Sequence, residues 1–110
     1  AVSRQAALHE LLLQAESFGV SLLAGDQERL AGHFARGVPP IGLWEKIEVR
    51  EGRGPPLLEG ALGWITCART REHPTGDHTL FVGEVTNVEP GPGRDALVYV
   101  RQSYVAGIGG

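Results

Sequence analysis

Methionine is absent from the 110-residue chain, even at position 1, and cysteine occurs once, as Cys67. A single thiol makes neither an internal disulfide nor a cysteine-based zinc site. The missing initiator leads to the expectation that something N-terminal has been cut, processed or left out. No apolar run approaches the roughly 20 residues of a membrane span, and no signal-peptide layout opens the chain. The expectation is a soluble cytoplasmic protein with no membrane partner. Positive charge is in short supply, with ten Lys and Arg against thirteen Asp and Glu and a net charge of −3. That balance argues against nucleic acid as a partner, because such binding needs a cationic footprint. Metal-ligand spacing is missing among His9, His33 and His73, and His73 with His78 across a Pro-Thr-Gly turn is weak for zinc. Gly52-Arg53-Gly54 is too short to cradle a phosphate, and no Walker or Rossmann fingerprint is present.

What is abundant is punctuation. Glycine contributes 16 residues and proline 7, which favours short strands joined by turns over long helices. Apolar residues make up 42% and charged residues 21%, a globular balance. The length suits one domain, residues 1–110, and surface scaling lets about 65% of the open chain's surface be buried.

Along the chain, Ser3 to Ala15 reads as a helix, with Ala7, Leu8, Leu11, Leu12 and Ala15 on one face and Ser3 as its N-cap. His9 and His33 read as helix-surface residues. Phe18 to Leu23 reads as a buried strand, after which Asp26 caps a short helix carrying Leu30 and Phe34 and stopping near Gly37. Val38 to Pro56 reads as loop, with room for a brief strand at Ile47 and Val49. Gly60 to Arg71, His78 to Val88 and Ala96 to Val100 read as strands, the last two separated by the turn cluster Pro90-Gly91-Pro92-Gly93. The first of these is apolar on both faces, so it should be covered on both sides. Trp64 in it reads as core or interface, and Cys67 as an inert buried thiol. Glu84 shares a strand face with apolar neighbours and needs a partner such as Arg69 or Arg101. The class is mainly β, or α+β, with two short helices.

The most specific stretch is Gly76-Asp77-His78-Thr79-Leu80-Phe81-Val82-Gly83-Glu84-Val85. With it the chain resembles the flavin reductase-like domain family, the FMN-binding split β-barrel of short-chain NAD(P)H:flavin oxidoreductases. Four other segments agree in order and spacing. They are Ser3-Arg4, then Phe18 to Leu23 with Asp26-Gln27 and Phe34-Ala35, then Leu57-Leu58 with Gly60 to Trp64 and Cys67, and finally Leu97-Val98-Tyr99 with Tyr104. The resemblance covers essentially the whole chain but only the latter two-thirds or so of the family domain. The family's opening strands, with their flavin-contacting turn, have no counterpart in it.

The resemblance implies an NAD(P)H-dependent reductase of FMN or FAD, acting as a homodimer and passing reduced flavin to an oxygenase partner. It implies that Ser3 and Arg4 bind the flavin phosphate and that His78 meets flavin and nicotinamide as the catalytic position. It also implies that Arg101 and Tyr104 close over the flavin. Read from the residues alone, Ser3 is a plain N-cap, His78 a histidine satisfied by turn carbonyls, and Tyr104 equally a packing aromatic. Gly76 should take a positive φ, and Asp77 should brace the turn through bonds to the backbone. Two rival functions stand beside the reductase. One is a non-catalytic flavin- or heme-binding module on the same barrel, the other an interaction protein that keeps the fold and has lost the pocket.

Overall fold

The computed structural model describes residues 1–36 and 40–107. The expected helix stop at Gly37 and the loop start at Val38 lie outside the described residues. In chain order the elements are β1 (Val2–Ser3), α1 (Ala7–Gln14), β2 (Ser17–Leu22), α2 (Glu28–Ala35) and α3 (Pro40–Leu43). There follow β3 (Gly63–Thr75), β4 (His78–Pro90), β5 (Leu97–Val100) and β6 (Ser103–Ala106). The first four strands form an antiparallel sheet in the order β1-β4-β3-β2, and β5 and β6 form a separate hairpin.

The long β3–β4 ladder is the frame. It runs from Gly63 opposite Pro90 to Thr75 opposite His78, with register shifts after Thr66 and after Arg69. Such bulges re-aim side chains and bend the sheet. β2 pairs with the first half of β3, placing Phe18 opposite Cys67 and Leu22 opposite Gly63.

The first helix starts later than its apolar spacing predicts. Val2 and Ser3 are extended and pair with Thr79 and His78. Ser3 is therefore not an N-cap; that place falls to Ala6, which makes no side-chain capping bond. The edge of the sheet offers Ser3 and its neighbours backbone partners, and that outweighs capping. α1 is also turned differently from its leucine stripe: His9 is buried, whereas Leu8 and Leu11 are exposed. Asp26 is not the cap of α2 either. Gln27 stands there, with its side-chain oxygen accepting from the Ala24 N–H and its amide donating to the Glu59 carbonyl. Those two bonds tie the exit of β2 to the approach to β3.

Two elements were not legible as expected. α3 falls in the segment read as loop, where Val49 makes a single bridge to Leu58. The β5–β6 turn is made by Arg101 and Gln102 at φ 52° and 62°. Such a two-residue turn ordinarily announces itself with Asn-Gly, and this pair carries no such signal.

The core is small: Ala24, Ala61, Trp64 and Cys67, with His9 and Thr79. Trp64 donates its indole N–H to the Leu58 carbonyl at 2.8 Å, and the Arg50 guanidinium lies over its ring at 4.1 Å. α1 covers one face of the sheet, where Arg69 donates to the carbonyls of Leu13 and Ala15. On that face Gly83 makes room for Phe18. A Cβ there would stand 2.7 Å from the Phe18 ring and 2.8 Å from the Cys67 Cβ. Gly83→Ala is expected to cost about 1–3 kcal/mol by overpacking, read as a lower urea midpoint. An unchanged midpoint would mean that the Phe18 ring swings clear.

The apolar first half of β3 is buried or half-buried on both faces, but the face opposite α1 is open along β4. Thr79 and Phe81 meet His9 of α1, so the pleat turns His78, Leu80 and Val82 away from the helix. Leu80 is 46% exposed. The chain presents 8045 Å² of surface, against roughly 5,900 Å² for a closed monomer of this mass.

Candidate functional site

The site is built at the turn joining β3 and β4. Thr75 pairs with His78, leaving Gly76 and Asp77 as a two-residue hairpin loop. Gly76 sits at φ 59° in the first loop position, where tight hairpins favour glycine. Space is not the constraint, because a Cβ at Gly76 would meet nothing.

β1 then lays the N-terminal segment against this turn. Ser3 pairs with His78, and the Arg4 N–H donates to the Asp77 carbonyl at 2.9 Å. The Arg4 guanidinium reaches the Gly76 carbonyl at 3.5 Å, a long and weak contact. Residues separated by more than 70 positions are thus neighbours. Of the seven residues singled out in the sequence, Ser3, Arg4, Gly76, Asp77 and His78 stand together.

The Asp77 side chain does more than brace the turn. Its Oδ1 lies 2.8 Å from His78 Nδ1. The hydrogen bond from His78, then its charge, and then the bond from Asp77's own backbone hold the carboxyl below its usual range. With the carboxylate ionised, the ring donates from Nδ1, and Nε2 makes no hydrogen bond among the described residues. His78 is about half exposed and Asp77 almost fully so.

The surrounding open face is basic and apolar at once. The register sets His73 beside Leu80 and Arg71 beside Val82, next to the Thr75–His78 pair. An anion placed here meets the donors of Arg4 and Ser3, and a flat apolar ring meets Leu80 and Val82. The donor set therefore fits a phosphate, while the ring would lie on an open floor. Two shallow surface cavities lie elsewhere. One is lined by loop 49–57 and Glu89, the other by residues 24–26 and 92–95. The first is braced by the Arg50–Glu89 ion pair, and the hydrogen bond from Arg50 holds the Glu89 carboxyl low.

Arg101 and Tyr104 are not brought to this turn. Their hairpin is anchored by Leu97 N–H to the Leu23 carbonyl at 2.9 Å and by Gly25 N–H to the Asp95 carbonyl at 2.6 Å. Leu23 follows the residue that pairs with Gly63, the first of β3, whereas His78 pairs with Thr75, the last. Tyr104 stacks instead on its cross-strand partner Tyr99, with ring centroids 4.8 Å apart.

Three side chains depart from their sequence reading. His9 is buried, with Nε2 2.7 Å from Thr79 Oγ1. A polar residue between leucines on a short helix gives no warning of burial. His33 is half-buried and pins α2 to α3 through the Leu43 carbonyl at 2.7 Å. Arg69 is not the partner of Glu84; it bonds Glu72 at 2.6 Å and the end of α1. Arg69 lies on the helix-covered face, and Glu84 points from the other.

Comparison with known proteins identifies the family. The model of the flavin reductase like domain matches residues 1–107. The chain is 34% identical to an NADH-dependent FAD reductase of Streptomyces globisporus, over 89% of this chain and 56% of that protein. It is 40% identical to the reductase component of 4-hydroxyphenylacetate 3-monooxygenase from Thermus thermophilus, over 94% of this chain and 64% of that protein. The solved NADH:FAD oxidoreductase SgcE6 of Streptomyces globisporus C-1027 superposes with a TM-score of 0.85 at 33% identity, over 94% of this chain and 63% of that one. The chain spans a little over half the length of the curated relatives it matches. The match over residues 1–107 and the shared antiparallel architecture make the chain a member of the flavin reductase like domain family, with that family's split-barrel fold.

Proposed function

We propose that this chain is the nucleotide-gripping part of an NAD(P)H-dependent flavin reductase using FMN or FAD. In this reading it works as a homodimer and as the reductase component of a two-component flavin monooxygenase, giving reduced flavin to an oxygenase partner. The observation that carries the reading is the pairing of Ser3 with His78, which sets phosphate donors beside an oriented imidazole.

The flavin, when bound, supplies the acceptor for the hydride of the nicotinamide. The chain's own residues bind and orient. Arg4 and Ser3 hold the phosphate, the guanidinium as a charged fork and the hydroxyl as a donor. Leu80 and Val82 give the ring an apolar floor. Asp77 fixes the His78 tautomer, and His78 Nε2 engages the nicotinamide carboxamide or ribose. Arg101 and Tyr104, anchored away from this group in one chain, reach the flavin from the second copy of the dimer. The apolar Leu80 and Val82, exposed side by side on the open face, support a second copy; sedimentation of a clean monomer at micromolar concentration would remove it.

The test of the activity is a visible spectrum of the protein with FMN or FAD, before and after anaerobic NADH. The expected result is flavin absorption that bleaches on adding NADH. Bands that bind and stay oxidised favour the non-catalytic module. A colourless protein with no thermal shift in FMN favours the interaction protein.

A further inference from the structure

We infer that His9 is a positioning residue for the His78 end of the site, acting through Thr79. The inference rests on the proposed reading of that site, and its first readout does not need the flavin.

His9 and Thr79 are the two buried polar residues of the described chain, 7% and 3% exposed. They share one hydrogen bond, Nε2 to Oγ1, at 2.7 Å. The other ring nitrogen, Nδ1, has no hydrogen-bond partner, and Glu10 Oε1 stands 3.7 Å from it. The ring is packed edge-on against Phe81, with centroids 5.5 Å apart. A leucine and a valine of similar volume would pack in these places without desolvating an imidazole and a hydroxyl. What the polar pair adds is direction. It fixes where α1 sits along β4.

That position is the one the site depends on. Thr79 is held from both ends of one segment: its backbone pairs with Val2, and its side chain bonds His9. Between those ends the chain is stiffened by the Ala6 N–H to the Ser3 carbonyl and by the His9 N–H to the Ala6 carbonyl, each at 3.0 Å. The result is a closed circuit running Val2, Ser3, Ala6, His9, Thr79 and back to Val2. β1 is a two-residue edge strand, which would fray on its own. The His9 bond anchors it, so it keeps Ser3 opposite His78 and the Arg4 N–H on the Asp77 carbonyl. His9 does not touch the ligand face. It lies beneath the sheet, and its effect passes through the backbone of the residue next to His78.

The variants are His9→Leu, which removes the bond, His9→Gln, which offers an amide where the Nε2 stood, and Thr79→Val, nearly isosteric and the safer fold. In flavin-free protein, His9→Leu and Thr79→Val are expected to shift the His78 Cε1–H resonance and to broaden the Ser3 amide. His9→Gln is expected to return both toward wild type. With FMN added, the two disruptive variants lose about 2- to 10-fold in affinity, the equivalent of one neutral hydrogen bond, and His9→Gln recovers it. A His78 line unmoved in both variants, with only the melting temperature lowered, makes His9 a packing residue and overturns the inference. A His78 line that moves in a wild-type background unable to bind FMN leaves the inference standing and removes the flavin reading instead.

Discussion

Replacing His78 by alanine is expected to lower kcat/KM for NADH by about 10- to 150-fold, while FMN affinity stays within about threefold. The magnitude is that of one hydrogen bond to a charged or strongly polar group, about 1.5–3 kcal/mol. The split follows from geometry. Asp77 occupies Nδ1, so the ring has one nitrogen to offer, and the phosphate donors at Ser3 and Arg4 do not depend on it. The pH dependence has a defined sign. The Asp77 carboxyl is held low by His78, so the pair is intact at and above neutral pH and persists into mild acid. It is lost only as pH falls through the lowered value, beneath the ordinary carboxylate range near 3.9. An acid limb of NADH turnover seen above that range therefore does not belong to Asp77. Anaerobic stopped-flow reduction of bound FMN measures the effect, and unchanged turnover in His78→Ala would take the imidazole out of the mechanism.

Much of this frame is legible in the chain because it rests on local rules. The β3–β4 hairpin follows from two runs of strand formers around Gly76, and the positive φ of that glycine is what a two-residue turn requires. Phe18 to Leu23 reads as a strand for the same reason. The failures share a different cause. Ser3 looks like a helix cap because serine caps helices, yet a sheet edge more than 70 residues away claims it. His9 looks like surface because its helix neighbours are leucines, yet the helix turns those leucines outward. Tyr104 looks like a residue past the chain's last strand because Arg101-Gln102 carries no turn signal, yet both residues accept positive φ and a sixth strand forms. In the first two cases a non-local contact outweighs a local preference, and such contacts have no pattern at short range; in the third the turn forms without the residues that usually mark one. The resemblance to the family supplied the pairing of Ser3-Arg4 with the turn, and β1 gives it a backbone explanation.

The same half-open architecture decides what the phosphate grip should weigh. Arg4→Ala is expected to weaken FMN binding about 10- to 150-fold and to leave riboflavin, which has no phosphate, unchanged. Among the described residues the Arg4 guanidinium holds only the Gly76 carbonyl, at 3.5 Å. That is a bond weak enough to give up, so nearly all of a phosphate contact counts as gain. A charge-assisted fork is worth about 1.5–3 kcal/mol. Arg4 is exposed, so the effect should shrink as salt is raised. Arg4→Lys keeps the charge and loses the fork, and should fall between wild type and alanine. Fluorescence titration with FMN and riboflavin side by side reads all of this. Equal losses for both flavins would mean that Arg4 shapes the turn through its contacts with Gly76 and Asp77. No loss for either would mean that the phosphate sits elsewhere, and that the closeness of Ser3 to His78 serves the fold alone.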